Sequence, residues 1–203
     1  LIFFFFLSFI LSKDDNITLI PISGDIDMGL PYYVERGIQI AEQDSAKLII
    51  FEIDTFGGRI DAATKIKDLI LETRINTIAF INRRAISAGA LISLSCDKII
   101  MTDGATIGAA TAVNAKGEKA SEKVISYMRE EMASTAEANE KSREIAEAMV
   151  DENIKLIRFS DVADMTALNE KTVSYQITLE ETIVGSTNNP MQLNEFIIAK
   201  IYY

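Results

Sequence analysis

Ser87 stands in Arg84-Ala85-Ile86-Ser87-Ala88-Gly89-Ala90, directly after an apolar run, in a chain that contains no histidine. Upstream, Asp54-Thr55-Phe56-Gly57-Gly58 follows another apolar run. A serine among small residues, with a Gly-Gly turn able to aim backbone N–H groups at it, points to acyl transfer. The missing histidine removes the Ser-His-Asp triad, so the general base must be another group. Lysine is the chemically reasonable one, as in Ser-Lys variants of the triad.

The small neighbours Ala85, Ala88, Gly89 and Ala90 leave room for a substrate at the Ser87 hydroxyl. A serine that opens a helix also gains from the N–H groups of the first turn. The plainer alternative is that Ser87 merely caps that helix. Gly57 and Gly58 add weight to the chemical reading, because glycine permits backbone angles and a close approach that a Cβ forbids. For the base, Lys123 lies near the start of a helical stretch, with Val124 beside it and Tyr127 one turn on. A lysine accepts a proton only when neutral, which requires desolvation. Spacing alone does not separate Lys123 from Lys116 or Lys119, and a surface ion pair with Glu130 is the competing role.

These groups need elements to hold them. Ile17–Ser23 reads as a strand ended by Gly24-Asp25, and Leu30–Asp44 as a helix with Tyr33, Val34, Ile38 and Ala41 on its apolar face. Lys47–Ile53 reads as a strand buried on both faces, with the Gly57-Gly58 turn after it. Ile60–Thr73 is an amphipathic helix, Thr77–Ile81 a buried strand, Ser87–Ser95 a tightly packed helix and Lys98–Met101 a further strand. Thr102-Asp103-Gly104 is turn-like, and Asn114–Ser121 reads as an exposed, mobile polar loop. Glu122–Met149 is helical with a break near Asn139–Arg143. Val173–Thr178 reads as a strand, and Leu193–Tyr203 as a terminal helix or strand. Alternating strands and helices with short connections indicate an α/β layered domain. Gly57-Gly58 and Ser87 both fall at carboxyl ends of strands, where such domains place their sites.

With 203 residues and 48% hydrophobic content, the chain can bury one substantial core. A formal charge of −10 argues against a nucleic-acid surface, since phosphate binding needs clustered Lys and Arg. Cys96 is the single cysteine, so an internal disulfide or cysteine-based zinc site is excluded, and its apolar setting reads as core. No Walker-type Gly-Lys-Ser/Thr loop is present, so neither ATP nor another cofactor is expected. Leu1–Leu11 is almost wholly apolar until Lys13-Asp14-Asp15. That length suits a secretory signal or anchor better than a full membrane span. The expected division is therefore an apolar signal or anchor over 1–12 and one domain over 13–203.

Glu52–Arg59, Ala85–Ala90 and Gly104-Ala105-Thr106-Ile107-Gly108-Ala109, in this order, resemble the membrane-associated serine proteases of the NfeD family. These are relatives of signal peptide peptidase A and of the Clp protease subunit. The similarity runs from about Ile17 to Val150. It implies a Clp-protease/crotonase-like fold of repeated β-β-α units and a Ser-Lys dyad. Ser87 matches the family nucleophile and Lys123 the catalytic lysine. Gly57 and Gly58 match the oxyanion-hole glycines, with the Ala88 or Gly89 N–H assisting. Phe56 stands where the family commonly has proline, and the match weakens after Asp151.

The resemblance implies a homo-oligomeric, ATP-independent serine endopeptidase, associated with a membrane and extracytoplasmic. Its substrates would be hydrophobic segments of stomatin-like membrane proteins. The alternative is a non-catalytic scaffold on the same fold that binds a stomatin-like partner. A crotonase-type acyl-CoA enzyme is a weaker third reading, because no basic cluster suited to CoA is evident.

Overall fold

The computed structural model describes residues 16–113, 116–158 and 172–175. The expected leader over 1–12 and terminal element over Leu193–Tyr203 lie outside them.

The chain alternates strand and helix: β1 (Ile17–Ile26), α1 (Leu30–Gln43), β2 (Leu48–Gly58), α2 (Ile60–Glu72), β3 (Asn76–Ile86) and α3 (Ala88–Leu94). Then come β4 (Lys98–Met101), β5 (Thr106–Gly108), α4 (Glu122–Ala138) and α5 (Arg143–Ala148). β6 (Lys155–Arg158) and β7 (Thr172–Tyr175) form a separate parallel pair. The main sheet has the order β1-β2-β3-β4, with β5 also pairing β3, and every pairing is parallel. Parallel neighbours require crossover connections, which is why a helix separates each of the first strands.

One face of the sheet carries the core. Ile20, Phe51 and Ala79 lie side by side across three strands, as do Ile22, Ile53 and Ile81, and all are buried. α1 comes so close to β1 that a Cβ on Gly37 would lie 2.7 Å from Ile20 Cδ1. α1 buries Pro31, Val34, Ile38 and Ala41. Tyr33, expected on that face, is exposed instead, because the apolar stripe passes through Pro31. β2 is not buried on both faces: Ile49, Phe51 and Ile53 are sealed, whereas Leu48 and Ile50 are only half-covered.

Three strands run further than the hydrophobic pattern indicates. β1 passes through Gly24-Asp25 with a register shift between Ser23 and Asp25. β2 continues through Gly57 and Gly58, which pair with Asp25 and Ile26, so these glycines end a strand rather than form a free turn. β3 extends to Ile86, with its own irregularity opposite Ile53–Thr55. Bulges let a strand continue past residues that would otherwise stop it. β5 carries no apolar run long enough to announce itself.

The helical stretch breaks between α4 and α5 as expected. α5 opens at Ser142, whose side chain accepts the Ile145 N–H. Lys141, just before it, donates to the Cys96 carbonyl and so ties this break to the end of α3. Burial holds the Lys141 amine below the usual lysine range, against the pull of the Cys96 and Asp97 charges.

Candidate active site

β3 ends at Ile86 and α3 begins at Ala88, so Ser87 must turn the chain from strand to helix within one residue. It does so at φ 55 and ψ −115, a backbone conformation that non-glycine residues rarely adopt. Such strain persists only where surrounding contacts enforce it. Here the Ser87 N–H donates to the Gly108 carbonyl at 2.8 Å, and the Ser87 carbonyl accepts the Ala90 N–H at 2.9 Å. The hydroxyl makes no capping bond, so the role of simple helix cap is not the one it plays. Ser87 is half-buried at the carboxyl edge of the sheet, among buried Ala85, Ala88, Gly89 and Ala90.

Gly57 lies against it. A Cβ at 57 would sit 2.8 Å from Ser87 Cβ, 3.0 Å from the Ile86 carbonyl oxygen and 3.3 Å from the Ala88 nitrogen. Its φ of 108 independently demands glycine. Gly58 is closer still to its neighbour, since a Cβ there would fall 2.3 Å from the Ile26 carbonyl oxygen. The two glycines thus bring β1, β2 and the start of α3 together with no side chain between them. Because residue 57 has no Cβ, no side-chain atom of it crowds the Ala88 nitrogen. Of the three amides expected as oxyanion donors, that of Gly57 already has a partner, the Thr55 hydroxyl at 2.9 Å.

Lys123 is in the first turn of α4 and is exposed. Among the described residues it makes no hydrogen bond or ion pair. Glu130, the partner considered for it, is held instead by Arg143 at 2.5 Å. Val124 and Tyr127, on the same part of α4, are also exposed. Burial that would favour a neutral amine is not supplied by the described residues of this chain alone. Lys119 is paired with Glu152 at 2.6 Å. The described residues 116–119 of the segment before α4 are exposed, as expected of a loop, and its ends are joined: Val113 bridges Lys119, and the Ala120 N–H donates to the Ala112 carbonyl.

α4 is positioned by packing on α3 and by the Lys67–Glu131 ion pair from α2, 2.9 Å long with both side chains mostly covered. Burial alone would lower the Lys67 amine, but the hydrogen bonds to Asp68 and Glu131 prevail and raise it.

A cleft of about 390 Å³ is bounded by Phe56, Arg84 and Ile86 on one side and Asp103–Thr106 on the other, and its lining stops at Ile86, one residue before the serine. The Arg84 guanidinium lies 4.4 Å from the Phe56 ring centroid, and its Nε is 3.1 Å from Asp54. Phe56, in place of a turn proline, therefore forms a cleft wall backed by a cation. Cys96 is fully buried, its thiol pushed up by desolvation, as befits an inert core residue. Among the described residues no group of three or more Cys, Asp or Glu side chains converges to hold a metal ion.

The sequence reading passed over Thr55 and Gly108, although both lie within motifs it singled out. Thr55 shows no chemistry of its own, and the carbonyl role of Gly108 has no side-chain signature.

Several known proteins are similar to this chain. The chain is 36% identical over 143 residues to the membrane protein NfeD1b of Bacillus subtilis, covering 70% of this chain and 33% of the relative. It is 34% identical over 130 residues to the membrane-bound protease PH1510 of Pyrococcus horikoshii, covering 60% and 30%. The chain thus spans about a third of the length of these relatives. Among solved structures it resembles the 1510-N membrane-bound stomatin-specific protease. A lysine-to-alanine mutant of that protease in complex with a substrate peptide superposes with a TM-score of 0.65 at 30% identity, covering 70% of this chain and 68% of that one. A serine-to-alanine mutant gives 0.62 at 31%, covering 68% and 70%. ClpP1 from Listeria monocytogenes, at 24% identity and a TM-score of 0.52, covers 68% of this chain and 81% of its own and shares the fold. The fold is Clp-protease-like, and the relatives are membrane proteins and proteases by name. Residues 16–203 match the NfeD1b N-terminal domain, and the chain belongs to that family.

Proposed function

We propose that this domain is a serine endopeptidase in which Ser87 is the nucleophile and Lys123 the general base. The observation that carries the reading is the strained Ser87 at a strand-to-helix turn, pressed against a side-chain-free Gly57. A serine held on such an elbow exposes its Oγ while an adjacent backbone amide faces the same space. The amides of Gly58 and Ala88 are the oxyanion donors, since the Gly57 N–H is already donated to Thr55. Ser87 Oγ attacks the scissile carbonyl and gives its proton to the neutral Lys123 amine. The lysine then returns that proton to the leaving amine, and water hydrolyses the acyl-enzyme.

Lys123 must lose its water for this. An apolar peptide, or a second copy of the chain, lying over Val124 and Tyr127 would supply that desolvation. The 1510-N protease has been solved as a lysine-to-alanine mutant with a substrate peptide and as a serine-to-alanine mutant, which supports a serine and a lysine as the working pair. We assign hydrophobic segments of stomatin-like membrane proteins as substrates, by analogy with that stomatin-specific protease. The domain works at a membrane, on its extracytoplasmic side, as a homo-oligomer, with 1–12 as signal or anchor and 13–203 as the protease. No helix of the described residues is long and apolar enough to cross a bilayer.

A second reading is favoured by the exposure of Lys123: a scaffold that captures a stomatin-like partner without turnover. Cleavage of a hydrophobic peptide by the parent, Ser87→Ala and Lys123→Ala separates the two. The protease reading expects turnover in the parent alone. Turnover that survives Ser87→Ala removes it. Partner capture with no turnover in any form establishes the scaffold.

A further inference from the structure

The Gly57-Gly58 segment is held only by its backbone pairing with Asp25 and Ile26 on β1, and just before it the ladder is interrupted on both flanks at one level. β1 slips against β2 between Ser23 and Asp25, and β2 slips against β3 between Ile53 and Thr55. Two consecutive glycines at φ 108 and 155 could there take many conformations. One buried side chain stands where the ladder fails. Thr55 is 1% exposed, and its Oγ1 accepts the Gly57 N–H at 2.9 Å. The same hydroxyl gives its single proton to the Gly24 carbonyl at 2.5 Å, with the Gly57 carbonyl more distant at 3.4 Å. Its methyl faces α3, since a Cβ on Gly89 would lie 2.5 Å from Thr55 Cγ2.

Resting on the protease reading above, we propose that Thr55 is the positioning residue of the oxyanion site. Its hydroxyl holds the Gly57 amide inward and bonds it across to β1, and its methyl sets how far α3 and Ser87 stand from β2. The Gly57 N–H is thereby withdrawn from the cleft and the Gly58 N–H is fixed in orientation. Without the hydroxyl the Gly57 peptide can rotate, and the donors lose alignment at the moment charge develops on the substrate oxygen. Thr55 itself touches no reacting atom. Its two functions lie on two different atoms, so two substitutions separate them. Thr55→Val keeps the shape and removes the hydroxyl; Thr55→Ser keeps the hydroxyl and removes the methyl against Gly89.

The test uses the full chain with a hydrophobic peptide substrate, with hydrogen exchange of the Gly57 amide read alongside. Thr55→Val is expected to lower kcat by about 10- to 100-fold with KM little changed. Its melting transition stays cooperative, and the Gly57 amide loses its protection. Thr55→Ser is expected to restore that protection and most of kcat. A Thr55→Val protein with parental kcat, or with an unchanged Gly57 amide, overturns the proposal while leaving the protease reading intact. A parent with no Ser87-dependent turnover overturns the protease reading and the catalytic role of Thr55 with it. Should Thr55→Val fail to fold, a Thr55→Ser kcat as low as that of Ser87→Ala overturns the hydroxyl as the determinant.

Discussion

Gly57 and Ser87 meet with no side chain between them: a single carbon added to the glycine would stand 2.8 Å from the serine Cβ. This contact joins the end of β2 to the start of α3. Gly57→Ala is therefore expected to abolish peptide cleavage, because the new methyl fills the space where the oxyanion would sit. Gly58→Ala meets the Ile26 backbone at 2.3 and 2.6 Å, where no flexible side chain can give way. It is expected to cost more stability than Gly57→Ala, by a difference of roughly 1–2 kcal/mol. Thermal melting of the two variants checks the order.

Ser87 itself is a place where function opposes stability. Its positive φ costs on the order of 1–3 kcal/mol, whereas glycine costs about 0.5–1 kcal/mol in unfolded-chain entropy. The strain is the larger of the two. Ser87→Gly is expected to melt a few degrees above Ser87→Ala, both being inactive, since alanine keeps the strain and glycine relieves it. Equal melting temperatures would show that the turn is unstrained.

Much of this was legible in the sequence. The spacing of Val34, Ile38 and Ala41 gave α1, and the apolar run Ile49–Ile53 gave the centre of β2, because one period governs burial along each element. The ends of β1 and β3 were not legible. Gly24-Asp25 and Asn82-Arg83 look like stops, and only pairing with a neighbouring strand carries β1 and β3 through them. At the site, Ser87, Gly57 and Gly58 stood out by type, and the structure sets Gly57 against Ser87. The exposure of Lys123 agrees with the surface role set against the catalytic one, though its expected partner Glu130 is taken by Arg143. Sequence neighbours could not decide between the two roles, since burial of a lysine depends on what packs over α4. Thr55 escaped notice for a related reason: its importance lies in register shifts of β2 against both neighbouring strands.

The covered pair Lys67–Glu131 orients α4 and so carries Lys123. Replacing Lys67 with methionine leaves Glu131 poorly solvated and is expected to cost about 1–3 kcal/mol, whereas Glu131→Met costs less because Lys67 keeps Asp68 at 2.7 Å. Replacing both is expected to cost less than either single change. A double-mutant cycle by urea denaturation measures the coupling. Additive losses would mean that solvent screens the pair.

Asp151 anchors the segment that follows Ser87's support. The Ala110 N–H donates to the Met149 carbonyl and the Thr111 hydroxyl to the Val150 carbonyl, immediately before it. The Asn153 backbone N–H, opposed by burial and aided by the Asn153 side chain and Arg129, holds the Asp151 carboxyl below its usual range. A carboxyl depressed on folding stabilises the protein above its unfolded pKa, and that contribution is lost as pH falls through the lower folded value. The melting temperature of the parent should therefore drop more steeply below about pH 4 than that of Asp151→Asn. Parallel curves would remove Asp151 from the acid response.

Cleavage by this domain requires an activated hydroxyl at Ser87. Reaction of the full chain with a fluorophosphonate probe, followed by peptide mass spectrometry, reads this without knowledge of the natural substrate. The expected result is a single adduct on Ser87, formed about 100-fold more slowly in Lys123→Ala. An unmodified Ser87, or labelling that proceeds at the parental rate without the lysine, would contradict it.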